Sequence, residues 1–191
     1  MEYLIVALSS YLLGSIPFGF ILTKIFLKKD IRDIGSGNIG ATNALRTGNK
    51  SLGYTTLILD ISKAVLPIIY IKYNYPDYIF IASLSTFLGH VFPVWLKFKG
   101  GKGVATYIGI LFSINLILGL IFVVCWMATF VISKYSSLSS LVASLMVPVY
   151  LLIFDNYSST FFIIMFVLIF YTHRENVKRL KNKEESKTKI Y

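Results

Sequence analysis

Residues 104–132 read VATYIGILFSINLILGLIFVVCWMATFVI, with no charge anywhere and Asn115 near the middle. As one helix, at about 1.5 Å rise per residue, the stretch is about 43 Å long, beyond the ~30 Å hydrocarbon core of a bilayer. As two helices broken near Asn115, each is short. The charges on either side choose between these readings, because basic residues collect in cytoplasmic loops. Suppose the polar stretch 27–50 is cytoplasmic; then the basic loop 97–103, two spans later, is cytoplasmic as well. A single span over 104–132 would export Lys134 together with Arg174, Lys178, Arg179, Lys181, Lys183, Lys187 and Lys189. Two spans keep all of them inside, so the sequence predicts a break at Asn115.

The remainder of the chain agrees with a lipid solvent. Of its 191 residues 55% are hydrophobic and only 15% charged, too few charges to cover a water-soluble surface. Mean hydropathy is +0.69. Further apolar runs lie at 3–26, 51–71, 78–95, 138–154 and 157–171. The expected fold is all-α, a polytopic membrane protein of seven transmembrane helices, N-terminus outside and C-terminus cytoplasmic. Asp77, Asn115 and Asp155 then mark the outer turns. Residues 1–191 read as a single domain, with 181–191 a frayed cytoplasmic tail. The first run carries Glu2 where a signal peptide carries positive charge, so it reads as a retained helix. Net charge is +10, but the basic residues sit in short clusters between apolar runs. That distribution speaks for membrane topology and against nucleic acid as a partner. A lone Cys125 inside an apolar run supports no disulfide and no metal cluster.

This threading gathers three polar islands at the inner face. One is Gly35-Ser36-Gly37-Asn38-Ile39-Gly40-Ala41-Thr42-Asn43, with Arg46 just beyond. Another is Gly89-His90-Val91-Phe92-Pro93, followed by Phe98-Lys99-Gly100-Gly101-Lys102-Gly103-Val104-Ala105-Thr106. The last is His173-Arg174-Glu175-Asn176, then Arg179. Glycines let backbone N–H groups approach an anion, and a helix starting beside them adds a favourable dipole. Arg46, Lys99 and Lys102 bring positive charge; Ser36, Asn38, Thr42 and Asn43 bring neutral donors. The inventory suits phosphate. Each island also has a plainer reading. Gly-rich loops make turns, lysines signal topology, His90 can cap a helix, and basic residues after His173 can snorkel. Gly35-x-Gly37-x-x-Gly40 spells a dinucleotide fingerprint but follows a membrane helix rather than a strand. Gly101-Lys102-Gly103 lacks the Ser/Thr and the spacing of a P-loop. His173 and Asn176 share a helical face. Asp60 and Lys63, inside the second run, are spaced for a helical ion pair, either structural or shaping the substrate site.

In these motifs the chain resembles the bacterial acyl-phosphate-dependent glycerol-3-phosphate acyltransferases, the PlsY family. The segments Gly35–Asn43 with Arg46, Gly89–Pro93 with Lys99–Thr106, and His173–Asn176 match the family's three cytoplasmic motifs in order, and the likeness spans essentially the whole chain. The resemblance implies transfer of an acyl chain from acyl phosphate to the sn-1 hydroxyl of glycerol 3-phosphate. Lysophosphatidate and inorganic phosphate result, the first step of phospholipid synthesis. It implies a multi-pass protein of the bacterial inner membrane, with its active site facing the cytoplasm and an acyl-phosphate-forming enzyme upstream. Ser36 and Arg46 match residues essential for activity, Gly100, Gly101 and Gly103 the loop that binds glycerol 3-phosphate, and His173 and Asn176 residues needed for catalysis. Glu175 is implied to be structural. Gly35, Gly37, Asn38, Gly40, Thr42, Asn43, His90, Lys99, Lys102 and Thr106 complete the expected substrate-binding set.

The chemistry agrees with no cofactor and no metal. Acyl phosphate is already activated, so the site needs only to hold two phosphates, align a hydroxyl on a carbonyl, and stabilise developing negative charge. The base that takes the hydroxyl proton is either His173 or a phosphate oxygen of the substrate. No His-x4-Asp signature follows His90 or His173. A transporter for a phosphorylated anion is the competing reading. Transporters place their sites near the bilayer midplane between repeats, and no repeat is visible here.

Overall fold

The structure is a computed structural model that describes residues 1–154 and 156–188. Asp155, expected in an outer turn, and Lys189, expected in the inner tail, lie outside the described residues. Every regular element among the described residues is helical. Although the sequence shows no boundary, backbone packing gathers the chain into two compact units, Met1–Ile114 and Asn115–Tyr191.

The first unit holds α1 (Glu2–Gly14), α2 (Phe18–Leu27), α3 (Ala41–Leu45), α4 (Lys50–Asn74), α5 (Ile79–Val91) and α6 (Val104–Ile114). The run 3–26, expected as one helix, is interrupted at Ser15-Ile16-Pro17. Proline supplies no N–H and its ring clashes with the preceding turn, so the ladder breaks there. A backbone carbonyl freed inside a bilayer must find another donor. That of Ile16 accepts a hydrogen bond from Lys63 Nζ at 2.7 Å. Small residues let the helices of this unit meet backbone to backbone, as membrane packing favours. A Cβ built on Gly14 would collide with the Thr86 backbone, and one on Gly89 with the Tyr11 carbonyl.

The second unit holds α7 (Leu116–Ser133), α8 (Ser136–Phe154), α9 (Asn156–Thr172) and α10 (Arg174–Lys181). The predicted break is at Asn115, whose side-chain oxygen caps α7 by accepting from the Ile117 N–H at 2.8 Å. The split is uneven, however. α6 has 11 residues and α7 has 18, so only α6 is short. Trp126 ties α7 to α8 by donating from Nε1 to Ser140 Oγ at 3.1 Å.

Among the described residues, five stretches are long and apolar enough to cross a membrane: Glu2–Leu27, Lys50–Asn74, Pro76–Leu96, Leu116–Ser133 and Ser136–Phe154. Val104–Ile114 and Ser158–Thr172 are shorter apolar helices. The tail expected to fray beyond 181 folds back instead, over its described part. It reverses at Lys183 (φ 61°), and the Thr188 N–H donates to the Lys134 carbonyl at 2.9 Å.

Candidate functional site

The first polar island is a loop wound around one amide. After α2, Asp30 caps a short turn by accepting from the Arg32 N–H at 2.9 Å and pairs with the Arg32 guanidinium at 2.6 Å. That bonding holds the Asp30 carboxyl down at about 2. The chain then bends through Gly35 (φ 54°) and Gly37 (φ 70°), backbone conformations that glycine adopts without strain. Asn43, buried at the start of α3, organises the bend. Its Nδ2 donates to the carbonyls of Ile34 and Asn38, each at 2.8 Å, with the Ile31 carbonyl at 3.1 Å sharing a hydrogen. Its Oδ1 accepts from the Ser36 N–H at 2.9 Å. Asn38 Oδ1 accepts from the Gly40 N–H at 2.8 Å. Ser36 and Arg46 are left exposed on this frame, Thr42 half-buried, and the Arg46 stem lies against Gly35. Asn43, expected among the substrate ligands, therefore holds the loop that presents Ser36.

The second island folds back on the end of α5. The Gly100 and Gly101 N–H groups donate to the Val91 and His90 carbonyls, both at 3.0 Å. A Cβ on Gly100 would strike the His90 carbonyl and the Pro93 ring, one on Gly101 the His90 imidazole, and one on Gly103 the Phe87 ring. These glycines are thus required by contact. α6 begins at Val104, so the first-turn N–H groups that lack helical partners open beside the loop. Lys99 is exposed, Lys102 half-buried and Thr106 buried. His90, expected among the ligands, is buried between Asp60 and Gly101 and belongs to the support beneath the loop.

These two islands meet within the first unit. Ile31, Ile39 and Ala44 from one side pack with Leu52 and with Leu96 from the other in a single apolar cluster. Arg46, Lys99, Lys102 and the first turn of α6 thereby belong to two loops braced on one core, an arrangement suited to anions.

The third island lies in the second unit, where α9 gives way to α10. His173 stands at the N-terminal boundary of α10 without a side-chain capping bond and is buried; its Nδ1 lies 2.8 Å from the Ile169 carbonyl. A carbonyl only accepts, so Nδ1 carries the proton and Nε2 is the basic nitrogen. Asn176, also buried, donates from Nδ2 to Glu185 Oε1 at 2.7 Å. The same carboxylate accepts from Ser137 Oγ and from Arg179 Nε, each at 2.7 Å. Burial raises the Glu185 pKa, but the bonds from Ser137, Asn176 and Arg179 outweigh it, so the group stays below its usual range. The sequence reading missed Glu185 because it stands in the charged run KNKEESKTK, which looks like a solvated tail. Glu175, the carboxylate expected to be structural, is solvent-exposed.

A profile of the family described as "Glycerol-3-phosphate acyltransferase" matches residues 4–183. The chain belongs to the glycerol-3-phosphate acyltransferase family. Among curated relatives, a glycerol-3-phosphate acyltransferase of Pelagibacter ubique (strain HTCC1062) is 85% identical over 191 residues, covering 100% of both chains. One of Bradyrhizobium diazoefficiens is 51% identical over 179 residues, 93% of this chain and 90% of the relative. The fold is similar to the crystal structure of PlsY, an integral membrane glycerol 3-phosphate acyltransferase, in its glycerol 3-phosphate form. That match has a TM-score of 0.92 at 33% identity, covering 98% of this chain and 96% of the other. The lysophosphatidic acid form of the same protein matches with a TM-score of 0.89.

Proposed function

We propose that this chain transfers an acyl group from acyl phosphate to the sn-1 hydroxyl of glycerol 3-phosphate, giving lysophosphatidate and inorganic phosphate. The observation that carries the proposal is the pair of Gly-rich loops braced on one apolar cluster beside the start of α6, with Arg46, Lys99 and Lys102 around them. The family and the glycerol 3-phosphate form of the similar PlsY structure support the same substrate.

In this reaction the hydroxyl oxygen attacks the acyl carbon, the carbon–oxygen bond to phosphate breaks, and inorganic phosphate departs with its electrons. The hydroxyl proton passes either to His173 Nε2 or to an oxygen of the leaving phosphate. Ser36, Arg46, His173 and Asn176 carry the reaction; Gly100, Gly101, Gly103 and Lys102 hold the phosphate of glycerol 3-phosphate. Charges aimed where the oxyanion develops cost no reorganisation, so Arg46 and the backbone N–H groups lower the barrier directly. No residue is acylated, because the donor is already an anhydride.

In the membrane the chain crosses seven times, with the short helices α6 and α9 as the remaining two crossings, N-terminus outside and C-terminus in the cytoplasm. The Lys- and Arg-rich segments 97–103 and 174–187 then face the cytoplasm of the inner membrane, as does the active site. An upstream enzyme that makes acyl phosphate supplies the donor. Purified protein in detergent, given both substrates, is expected to release phosphate and lysophosphatidate together. No turnover, with uptake of phosphate esters by reconstituted vesicles, would identify a transporter instead.

A further inference from the structure

A charge pair inside the first unit stands where no catalytic role reaches it. Asp60 Oδ1 and Lys63 Nζ are 2.8 Å apart on α4, and each side chain is 2% exposed. Two charges taken into a low-dielectric interior carry a desolvation cost that packing with apolar residues would avoid. Their surroundings show what they hold. Lys63 Nζ also donates to the Ile16 carbonyl at 2.7 Å, at the break that Pro17 makes in the first run. Asp60 Oδ1 lies 3.7 Å from His90 Nδ1, across to the last turn of α5. The opposite edge of that imidazole packs against Gly101 so closely that a Cβ there would collide with Nε2. The His90 carbonyl accepts from the Gly101 N–H at 3.0 Å. A continuous series of contacts thus runs from the helix break through Lys63, Asp60 and His90 to the Gly100–Gly103 loop.

We propose that the buried Asp60–Lys63 pair positions this loop through His90 and so sets the affinity for glycerol 3-phosphate, without touching either substrate. This rests on the acyltransfer reading for the identity of the ligand. Lys63 is fixed at the Ile16 carbonyl, which fixes Asp60, and the carboxylate, beyond hydrogen-bond distance from Nδ1, orients the His90 ring through its charge. A rotated ring would push into Gly101, where only a hydrogen faces it. The first-turn N–H groups of α6, which the loop leads into, would then lose their aim at the phosphate, an effect on binding of one substrate rather than on the chemical step.

The test is equilibrium binding of glycerol 3-phosphate to the purified full chain, measured beside steady-state turnover. The double variant Asp60→Asn/Lys63→Gln removes both charges together, so no lone buried charge remains. Its Kd and KM for glycerol 3-phosphate are expected to rise about tenfold or more, with kcat within about threefold and the acyl phosphate KM within about twofold. An unchanged Kd for glycerol 3-phosphate, or an equal loss for both substrates, overturns the proposal. If the double variant does not fold, His90→Gln keeps the pair intact and cuts the same series of contacts. It is expected to weaken glycerol 3-phosphate binding selectively, and wild-type affinity would overturn the proposal. Where all three changes can be combined, their effects are expected to fall short of the product of the separate ones; full multiplication means independent sites. Wild-type protein that binds glycerol 3-phosphate but forms no lysophosphatidate would refute the acyltransfer reading alone, while the Kd comparison still judges the pair.

Discussion

Glu185 ties three side chains of the second unit to one carboxylate, among them Asn176. Glu185→Gln keeps the shape, weakens the acceptor and sets an amide against donors, at a cost of about 1–3 kcal/mol for charge-assisted bonds. A carboxyl held below its ordinary value stabilises the fold above that value, and the contribution is lost as pH falls through the lower folded value. The variant's melting temperature is therefore expected to lie below wild type at neutral pH, and the gap to close on acidification below about pH 4. A gap independent of pH would deny the carboxylate this role. His173 poses a different question. If Nε2 accepts the hydroxyl proton, His173→Ala lowers kcat about 10²–10⁴-fold with little change in either KM. Full turnover would assign the proton to the substrate phosphate. At this scale the sequence revealed which residue types gather but not which way they face. Asn43 and Ser36 look alike as donors in the string, yet burial commits the Asn43 amide to the loop and leaves Ser36 exposed.

Among the elements, the Gly100–Gly103 loop has the least room to change. Gly101→Ala places a methyl where the His90 ring already stands, so either the loop or the ring must move. The expected result is a raised KM for glycerol 3-phosphate with the acyl phosphate KM retained, and an unaltered KM would show that the loop's fit does not matter. In the sequence the glycines and their neighbours Lys99 and Lys102 suggest an anion loop. Their contacts with α5 were not legible there, because they depend on helices distant in the chain. The break at Asn115 was readable because length and the placement of Lys134 both demanded it. The break at Pro17 was not, since hydropathy runs unbroken through Ser15-Ile16-Pro17 and membrane helices tolerate proline. Lys63, which bonds the Ile16 carbonyl at that break, lies 47 residues along the sequence, which no local pattern reveals.

For the molecule as a whole, composition selected lipid as solvent, and the length of the apolar runs selected helix, which is the regular element found among the described residues. Charge asymmetry gave a threading that helix lengths support in five stretches. Placing a single cysteine at position 115, in a chain whose native Cys125 is replaced by Ser, tests the direction of that threading. A membrane-impermeant thiol reagent added to intact cells is expected to label Asn115→Cys. Labelling only after the inner face is exposed would invert the orientation. Folding back of the tail lay beyond sequence reading, because a charged run reads as solvated until a buried partner such as Ser137 is known. The proposed reaction is tested most directly by tracing oxygen. Purified protein is given acyl phosphate and glycerol 3-phosphate labelled with oxygen-18 at the sn-1 hydroxyl. The account predicts lysophosphatidate carrying the label in its ester, with unlabelled inorganic phosphate released one for one. Absence of lysophosphatidate, or label appearing in phosphate, would contradict it.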